Sequence, residues 1–348
     1  MYHQFFGLKK DAFGMTPDPS FLFLTAAHRE ALAGLTYSIL SRKGFVVLTG
    51  DAGTGKTTLL TRILQSIPAA RARFSVVLNP TLTPAEFLEL ALLDFGITNV
   101  PASKAQRLTM LQQFLLNAFE QRQVPVLIVD EAHKLPPDVL EEIRLLSNFE
   151  MAEGKLLQIV LAGQTELGDL LNREDLRQLK QRVAVRLAIH PLAAVEVEHY
   201  IQHRWTKAGA TQPHPFNAEA LSRIAQWSRG IPRMVNVLAD NALMLAYGEG
   251  VSSVGAAHIA EVAGDLDMID PHTLSGRGAR RAISIGPAKL AVNGNSINGS
   301  AGTAGNGSVA AGPVPAPILE RYQSDATRSS GLMRLAGKLR LTKRPVQL

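Results

Sequence analysis

Two short runs in this sequence place glycine, lysine, hydroxyl and carboxylate groups at spacings that suit phosphate chemistry. The first run follows the pattern G-x-x-x-x-G-K-[ST], and the second is an acidic pair after four apolar residues. Glycines let backbone N–H groups wrap a phosphate, and the lysine and hydroxyl reach its outer oxygens and a magnesium ion. The first run therefore predicts a nucleoside triphosphate site made by Gly50, Asp51, Ala52, Gly53, Thr54, Gly55, Lys56, Thr57 and Thr58.

The residues around the glycine-rich run support this prediction. Phe45–Thr49 before it is apolar and β-branched like a strand, and Leu59–Leu64 after it has the composition of a helix. A phosphate held there would lie at a helix N-terminus, where backbone N–H groups and the helix dipole favour negative charge. We expect Lys56 to reach the β- and γ-phosphates of ATP and Thr57 to offer its hydroxyl to Mg²⁺.

The acidic pair Asp130–Glu131 ends a run of apolar residues that is typical of a central strand. We expect Asp130 to hold Mg²⁺, directly or through water, and Glu131 to polarise the water that attacks the γ-phosphate. Continued to His133, the run spells the DEAH motif of one helicase class. Such helicases need a second RecA-like domain, whereas the strand signals here stop near residue 190. We therefore interpret His133 as a helix-start or interface residue.

Three further polar side chains are candidates for completing the site. Gln164 follows the fourth predicted strand and can orient water or the γ-phosphate, although an ordinary turn glutamine is the alternative. Arg182 precedes the fifth predicted strand and can enter a neighbouring subunit's site as an arginine finger. Arg177 is the alternative finger and Arg173 a weaker one, and all three can equally be solvated helix charges. Arg233 opens a later helix and can fold over the γ-phosphate.

Short apolar, β-branched runs alternate with helical patterns, which predicts a mostly parallel sheet covered by helices on both faces. The predicted strands are Phe45–Gly50, Phe74–Asn79, Val124–Asp130, Leu156–Gly163 and Val183–Ile189. The helices predicted in the same region are His28–Leu40, Thr57–Ser66, Pro84–Asp94, Ala105–Arg122 and Pro137–Phe149. After Pro191 only helical patterns follow, namely Val195–Ala208, Asn217–Ser228, Pro232–Tyr247 and Ser253–Asp265.

The composition is that of a protein with a substantial core, because 46% of its 348 residues are hydrophobic and 19% are charged. There is no cysteine, which excludes disulfides, zinc–thiolate sites and cysteine nucleophiles. The N-terminus lacks the features of a secretory signal, and no uncharged apolar run reaches the ~18 residues that span a bilayer. We expect a cytoplasmic protein, with a peripheral position at the inner membrane as a further possibility.

The basic character of the chain lies in its last segment. Residues 271–348 carry 11 Lys and Arg against two Asp and Glu, a balance of +9 within a total of +6, so residues 1–270 have a balance of −3. Residues 286–317 are rich in Gly, Ala, Ser, Asn and Pro, which predicts a flexible linker. The basic segment beyond it predicts contact with an anionic membrane, a partner's groove or nucleic acid. On a helix its apolar residues would lie opposite its basic ones: Leu332, Leu335, Ala336 and Leu339 against Arg334 and Lys338.

Beyond the nucleotide motifs, several segments resemble the general secretion pathway protein A (ExeA/GspA) family of AAA+ ATPases. They are Tyr2-x-x-Phe-Phe-Gly7-Leu, Phe13, Thr16-Pro-Asp-Pro19-x-Phe-Leu-Phe-Leu24, His28-Arg-Glu-Ala-Leu32, Gln164-Thr-Glu-Leu167, Gln181-Arg182 and Gly230-Ile-Pro-Arg233-Met-Val-Asn236. The resemblance spans about residues 1–265. Related ATPases serve MSHA-pilus, exosortase-associated and TniB/TnsC-type transposition systems.

The resemblance implies the AAA+ form of the α/β P-loop NTPase fold, with a five-stranded parallel sheet in the order 5-1-4-3-2, a C-terminal helical lid and a disordered tail. It also implies that the N-terminal segment and the helix at His28 wall the adenine site. The domains predicted on this basis are an N-terminal segment with the adenine-site helix (1–43), the α/β ATPase core (44–190), the lid (191–268), the linker (269–331) and the basic amphipathic tail (332–348).

The resemblance further implies an ATP- and Mg²⁺-dependent ATPase that forms a homo-oligomeric ring or filament. Its partner would belong to a bacterial secretion or envelope system, such as a pilus or polysaccharide-export system, which the ATPase assembles or remodels. Family members that act on the cell wall carry a transmembrane helix and a periplasmic domain after the ATPase, whereas here we expect a linker and a tail that contacts the membrane through residues 332–348.

Two alternatives to this function remain. A DNA-binding transposition helper would have DNA as its partner, and the −3 balance of residues 1–270 disfavours it. A nucleotide switch that does not hydrolyse ATP is disfavoured by the intact Glu131.

Overall fold

A five-stranded parallel sheet forms the centre of the protein in a computed structural model that describes residues 2–16, 18–78 and 81–268. The strands, numbered in chain order, are β1 (Phe45–Gly50), β2 (Ala72–Val77), β3 (Val124–Val129), β4 (Gln158–Gly163) and β5 (Val183–Ile189). Their order is β2-β3-β4-β1-β5, and every neighbouring pair is parallel. This is the predicted order 5-1-4-3-2 read from the opposite edge, so the fold class is confirmed.

The burial of each strand follows from its place in the sheet. Every residue of the central strands β3 and β4 is buried, because helices cover both faces there and the sequence is almost continuously apolar. The edge strand β5 instead alternates along its length, and Ala184, Arg186 and Ala188 are exposed. The central strands therefore give the sheet a rigid middle, and the loops after them carry the polar residues.

Among the residues that the structure describes, seven helices lie in the part of the chain that contributes the sheet, and four follow β5. The first group is Ala26–Leu40, Lys56–Ser66, Pro84–Asp94, Lys104–Glu120, Pro137–Leu146, Glu166–Leu171 and Arg177–Arg182. The C-terminal helices, as we call the second group, are Ala194–Lys207, Ala218–Ser228, Pro232–Gly248 and Ala256–Asp265. A four-residue helix, Tyr2–Phe5, precedes them all. None of the helices that the structure describes is both long enough and apolar enough to cross a bilayer.

Several boundaries differ from those predicted. The first long helix begins at Ala26 rather than His28, because the Thr25 hydroxyl caps it by accepting a hydrogen bond from the His28 amide. The second strand covers Ala72–Val77 instead of Phe74–Asn79, and Asn79 lies outside the described residues. The fourth strand begins at Gln158, two residues later than predicted.

Short elements account for most of what the sequence patterns missed. The helices at residues 166–171 and 177–182 have six residues each, too few for a helical period to stand out. A two-stranded hairpin pairs Glu150–Met151 with Gly154–Lys155 after a helix that was predicted to run to Phe149. Turns of 3₁₀-helix occupy Pro19–Phe21, Ala132–Lys134 and Glu174–Leu176.

The N-terminal segment packs with the C-terminal helices rather than with the sheet. Phe13 and Phe21 are buried in the same apolar cluster as Trp205, whereas the helix Ala26–Leu40 packs on the sheet beside β1. Arg204 fixes this arrangement, since its Nε donates to the Ala12 carbonyl at 2.6 Å and its guanidinium lies 4.8 Å from the Phe21 ring centroid. The two ends of the described chain therefore pack together in one apolar cluster. The predicted linker (269–331) and tail (332–348) lie outside the described residues.

Candidate nucleotide site

A cleft of about 620 Å³ opens at the edge of the sheet where the parallel strands end. Its floor is the glycine-rich loop with Glu131 and Gln164, and its walls come from the N-terminal segment and the C-terminal helices. The lining residues include Ala52–Thr58, Glu131, Lys134, Gln164, Met15, Phe21–Phe23, His28, Tyr200, Arg204, Arg233 and Asn236. Ligands of open α/β sheets bind at this edge, because the loops that leave the strands converge there.

The glycine-rich loop requires glycine at these positions, because a side chain there would be strained or would clash with the surrounding residues. Gly53 and Gly55 have φ of +82° and +100°, a region that favours glycine. A Cβ atom on Gly50 would lie 2.5 Å from the Ile189 carbonyl oxygen, and one on Gly53 would lie 2.7 Å from the Arg233 Cβ. The loop is therefore held between the end of β5 and the start of a C-terminal helix. Gly50 and Asp51 do not themselves line the cleft.

Lys56 lies at the base of the loop and is buried. Its Nζ donates to the carbonyl oxygens of Gly50 at 2.7 Å and Asp51 at 2.9 Å, and it lines the cleft. Burial lowers the pKa of Lys56, and the carboxylates of Asp130 and Glu131 oppose that shift. A phosphate brought into the cleft would add negative charge beside this ammonium and so favour its charged form.

Thr57 and Asp130 form the pair to which the sequence assigns magnesium. The Thr57 hydroxyl donates to Asp130 Oδ2 at 2.6 Å, and Asp130 Oδ1 accepts from the Glu131 amide at 2.9 Å. Burial raises the pKa of Asp130, and its bond with Thr57 opposes the shift. A hydroxyl and a carboxylate in contact fit Mg²⁺, which takes one or two protein oxygens and completes its shell with phosphate and water. No cluster of three or more possible metal-binding side chains occurs among the described residues.

Glu131 has an unusual backbone conformation, because its φ of +55° places a residue with a side chain in the left-handed region. Such conformations cost about 1–3 kcal/mol and persist where the surrounding structure imposes them. Glu131 lines the cleft, and its Oε2 lies 3.3 Å from Lys134 Nζ and 3.7 Å from His133 Nε2. The turn thus directs the carboxylate of Glu131 towards the cleft beside Lys56 and Thr57.

Of the remaining candidates, Gln164 and Arg233 also line the cleft. The Gln164 amide donates to His133 Nδ1 at 3.3 Å, which joins the end of β4 to the turn after Glu131. The Arg233 amide donates to the Gly53 carbonyl at 3.3 Å, so the helix that Arg233 opens begins against the glycine-rich loop. Six predicted side chains therefore meet in one place: Lys56, Thr57, Asp130, Glu131, Gln164 and Arg233.

The arginine-finger candidates lie elsewhere. Arg182 precedes β5, whose first residue pairs with Phe45 at the beginning of β1, and it does not line the cleft. A seven-residue strand spans about 20 Å, which is far beyond the reach of an arginine side chain. Arg173 forms an ion pair with Asp175 at 2.8 Å, and Arg177 is exposed. The structure does not bring Arg182, Arg177 or Arg173 to the cleft of their own chain.

His28 connects the first long helix to the glycine-rich loop. Its Nε2 donates to the Thr54 carbonyl at 3.0 Å, and its Nδ1 accepts from the Thr25 hydroxyl at 2.7 Å. Burial lowers the pKa of His28, so the neutral ring that this arrangement requires is favoured. The helix at His28 and the N-terminal residues Gly14–Thr16 line the cleft together.

Some residues of the cleft were not singled out by the sequence. Tyr200 donates from its hydroxyl to Asn236 Oδ1 at 2.8 Å, and Arg204 donates to the same Tyr200 hydroxyl at 3.2 Å. Tyr200 and Arg204 stand alone within a helical pattern, so nothing in the sequence marks them, whereas Asn236 ends one of the segments that carry the family resemblance. His133 was singled out and interpreted as a helix-start or interface residue, yet its ring lies between Gln164 and Glu131. The signal in the sequence that could have indicated this position is the histidine that completes the DEAH motif.

Comparison with known proteins agrees with this geometry. Residues 39–171 match a family described as AAA domain. The chain is 39% identical over 273 residues to general secretion pathway protein A of Aeromonas hydrophila, a match that covers 77% of this chain and 49% of that protein. It is 26% identical over 276 residues to ATP-dependent target DNA activator B of Escherichia phage Mu, covering 76% of this chain and 80% of that protein. The chain thus spans about half the length of the first relative.

Two solved structures share the fold at low sequence identity. The Aeropyrum pernix ORC2 protein matches with a TM-score of 0.57 at 18% identity, covering 78% of this chain and 75% of that one. Cdc6p from Pyrobaculum aerophilum matches with a TM-score of 0.59 at 16% identity, covering 77% of this chain and 74% of that one. At such identities the likeness concerns the fold alone.

Proposed function

We infer that this chain, an AAA+ ATPase homologous to general secretion pathway protein A, binds ATP with Mg²⁺ in the cleft and hydrolyses it there. The observation that carries this inference is that Lys56, Thr57 and Glu131 line one cleft at the ends of β1 and β3, with Asp130 hydrogen-bonded directly to Thr57. These four residue types supply a phosphate-binding cation, two oxygens for a metal and a carboxylate that can orient water.

Each of these side chains has a distinct task in the proposed reaction. Lys56 turns from the loop carbonyls to the β- and γ-phosphates, and the loop amides between Gly53 and Thr57 bind the remaining oxygens. Thr57 and Asp130 hold Mg²⁺, which neutralises phosphate charge when bound. Glu131 orients the attacking water and accepts its proton, and Gln164 fixes the water or the γ-phosphate from the neighbouring strand end.

Arg233 gives the C-terminal helices a means of responding to the nucleotide. Its amide bonds the glycine-rich loop at Gly53, and its side chain is exposed beside the cleft. A guanidinium that folds onto the γ-phosphate would draw these helices over the site while ATP is present. In this proposal the C-terminal helices act as a lid whose position follows the nucleotide state.

The complete site forms between two copies of the chain. Arg182 lies at the amino end of the sheet, about 20 Å from the ends of the strands, which supports a role in a neighbour's cleft because it cannot reach its own. A ring or filament brings the amino end of one subunit to the cleft of the next. Hydrolysis then depends on assembly, with Arg182 as the finger.

We further infer a client in a bacterial secretion or envelope-assembly system. The support is the 39% identity to general secretion pathway protein A over 77% of this chain. Contact with the inner membrane through residues 332–348 belongs to the same proposal and rests on the basic amphipathic pattern of that segment. A DNA-binding helper of transposition is the second candidate, and the match to ATP-dependent target DNA activator B over 80% of that protein favours it.

The two clients make different demands, so one set of assays separates them. Turnover of ATP is measured with the full chain alone, with duplex DNA and with anionic vesicles, each at low and moderate salt. Turnover that is unaffected by DNA, together with sedimentation on anionic vesicles, supports the envelope role. A salt-dependent DNA complex that stimulates turnover supports the transposition role instead. Absence of ATP turnover under every condition would contradict the ATPase function itself.

A further inference from the structure

His133 is largely buried next to the nucleotide site, but it does not itself line the cleft. It belongs to the 3₁₀ turn Ala132–Lys134, which begins directly after Glu131, and its side chain is only 11% exposed. Its ring lies between the end of β4 and the Glu131 carboxylate. The ring thus lies against both the backbone of Gln164 and the side chain of Glu131.

The hydrogen bond from Gln164 determines the protonation of the ring. Because His133 Nδ1 accepts the Gln164 N–H at 3.3 Å, this nitrogen carries no proton. In a neutral imidazole the proton then sits on Nε2, the atom that lies 3.7 Å from Glu131 Oε2. The ring therefore turns a donor towards the carboxylate, at a separation that a small rotation of the Glu131 side chain would close to a hydrogen bond.

The backbone around the ring fixes its position. A Cβ atom on Gly163, the last residue of β4, would lie 3.1 Å from the His133 amide nitrogen, so the turn and the strand end are in close contact. Glu131 on the other side has its φ at +55°, which sets the direction in which its side chain leaves the turn. The ring therefore lies between two closely constrained stretches of backbone.

We propose that His133 is a positioning residue that couples the end of β4 to the orientation of the Glu131 carboxylate. A displacement of the Gln164 backbone, as its side chain engages the γ-phosphate, moves the imidazole, and the Nε2–H then moves Glu131 into place for the attacking water. The coupling rests on the proposed ATPase function. It gives a role to a histidine that lies beside the cleft without lining it.

Three substitutions at His133 separate positioning from simple packing. His133→Gln keeps an amide donor at the place of Nε2 but lacks the rigid acceptor at Nδ1, whereas His133→Asn keeps an acceptor for the Gln164 amide and does not reach Glu131. His133→Ala removes both. We expect turnover to fall about 100-fold in the alanine variant, the scale expected when a reacting group is misplaced, with ATP affinity within about twofold of wild type. The exposed His199→Gln serves as the control.

The proposal is tested by which of the two variants, His133→Gln or His133→Asn, has the higher turnover relative to His133→Ala. We expect His133→Gln to recover about tenfold over His133→Ala but to stay below wild type, because it restores the donor to Glu131 without the link to Gln164, and His133→Asn to remain as slow as the alanine variant. Recovery by asparagine equal to that by glutamine would overturn the proposal, because filling the Gln164 hydrogen bond would then suffice. Turnover of the alanine variant within about twofold of wild type would also overturn it. Thermal melting of each variant with bound ATP shows that the comparison is made on folded protein.

A second measurement does not depend on hydrolysis. In ¹⁵N-labelled protein the His133 ring signals, assigned by their loss in His133→Gln, should show the Nε2–H tautomer. The Nδ1–H tautomer would overturn the proposal even if the wild type turned over no ATP, an outcome that would by itself contradict only the proposed ATPase function.

Discussion

The floor and the walls of the cleft are held together in different ways. The floor consists of loops that leave the buried strands β1, β3 and β4. Its polar groups bond to one another, as the Thr57 hydroxyl does to Asp130 Oδ2 at 2.6 Å. The walls join the two ends of the described chain, and a few polar contacts such as that of Arg204 with the Ala12 carbonyl fasten an otherwise apolar cluster.

Contact between the floor and the walls is concentrated at the glycine-rich loop. Gly53 lies against Ile231 and Arg233, and Thr54 accepts a hydrogen bond from His28. In the proposed function the floor supplies the chemistry and the walls determine when the nucleotide is enclosed and released, with the glycine-rich loop as the connection between them.

The largest effect should come from a residue outside both regions. Arg182→Ala should bind ATP normally and hydrolyse it about 10³-fold more slowly or worse, because the cleft would lack the charge supplied by a neighbouring subunit. Mixing it with Lys56→Ala protein should restore part of the activity, since one chain supplies the finger and the other the phosphate site. Turnover independent of protein concentration, with no recovery on mixing, would contradict a shared site. Arg177→Ala tests the alternative finger in the same assay.

A substitution in the walls should affect stability more than chemistry. Arg204→Met leaves the Ala12 carbonyl without its donor and removes the cation from the Phe21 ring, so the free energy of unfolding should fall by about 1–3 kcal/mol. Urea unfolding of this variant is compared with that of Arg223→Met, which changes an exposed arginine on the C-terminal helices. Equal losses in the two variants would mean that Arg204 does not fasten the wall.

The connection through His28 should depend on pH. Burial lowers the pKa of His28 below its ordinary value of 6.5, so the unfolded chain binds the proton more readily than the folded one. Its contribution to stability is present above about pH 6.5 and is lost as the pH falls towards the folded-state pKa. In His28→Gln, the amide can still donate to Thr54, and the free energy of unfolding should fall less steeply between about pH 7.5 and 5.5. If the free energy of unfolding depends on pH in the same way in wild type and His28→Gln, then His28 does not contribute to the pH dependence.

The smallest effect should come from Lys134. Its Nζ lies 3.3 Å from Glu131 Oε2, but the side chain is 56% exposed and water screens the pair. An ion pair of this kind contributes about 0–1 kcal/mol, so Lys134→Met should change turnover by no more than about fivefold. A loss of turnover as large as that expected for His133→Ala would mean that Lys134, rather than His133, positions the Glu131 carboxylate.

The sheet and the floor of the cleft were predictable because their signals are local. The spacing of Gly50, Gly55 and Lys56 is visible within seven residues, and apolar runs mark β1 and β3 directly. The walls could not be predicted in detail, because the bond between Arg204 and Ala12 joins residues 192 positions apart. The role of His133 depends on one ring orientation, which sequence spacing does not determine.

The central claim is that the cleft hydrolyses ATP with Glu131 acting on the attacking water. The most direct test compares wild type and Glu131→Gln in a single-turnover assay, with nucleotide binding and phosphate release followed in the same samples. The amide cannot accept a proton, so we expect equal binding of ATP with Mg²⁺ and hydrolysis slowed by at least about 100-fold. Hydrolysis by Glu131→Gln at a rate near that of wild type would contradict the account.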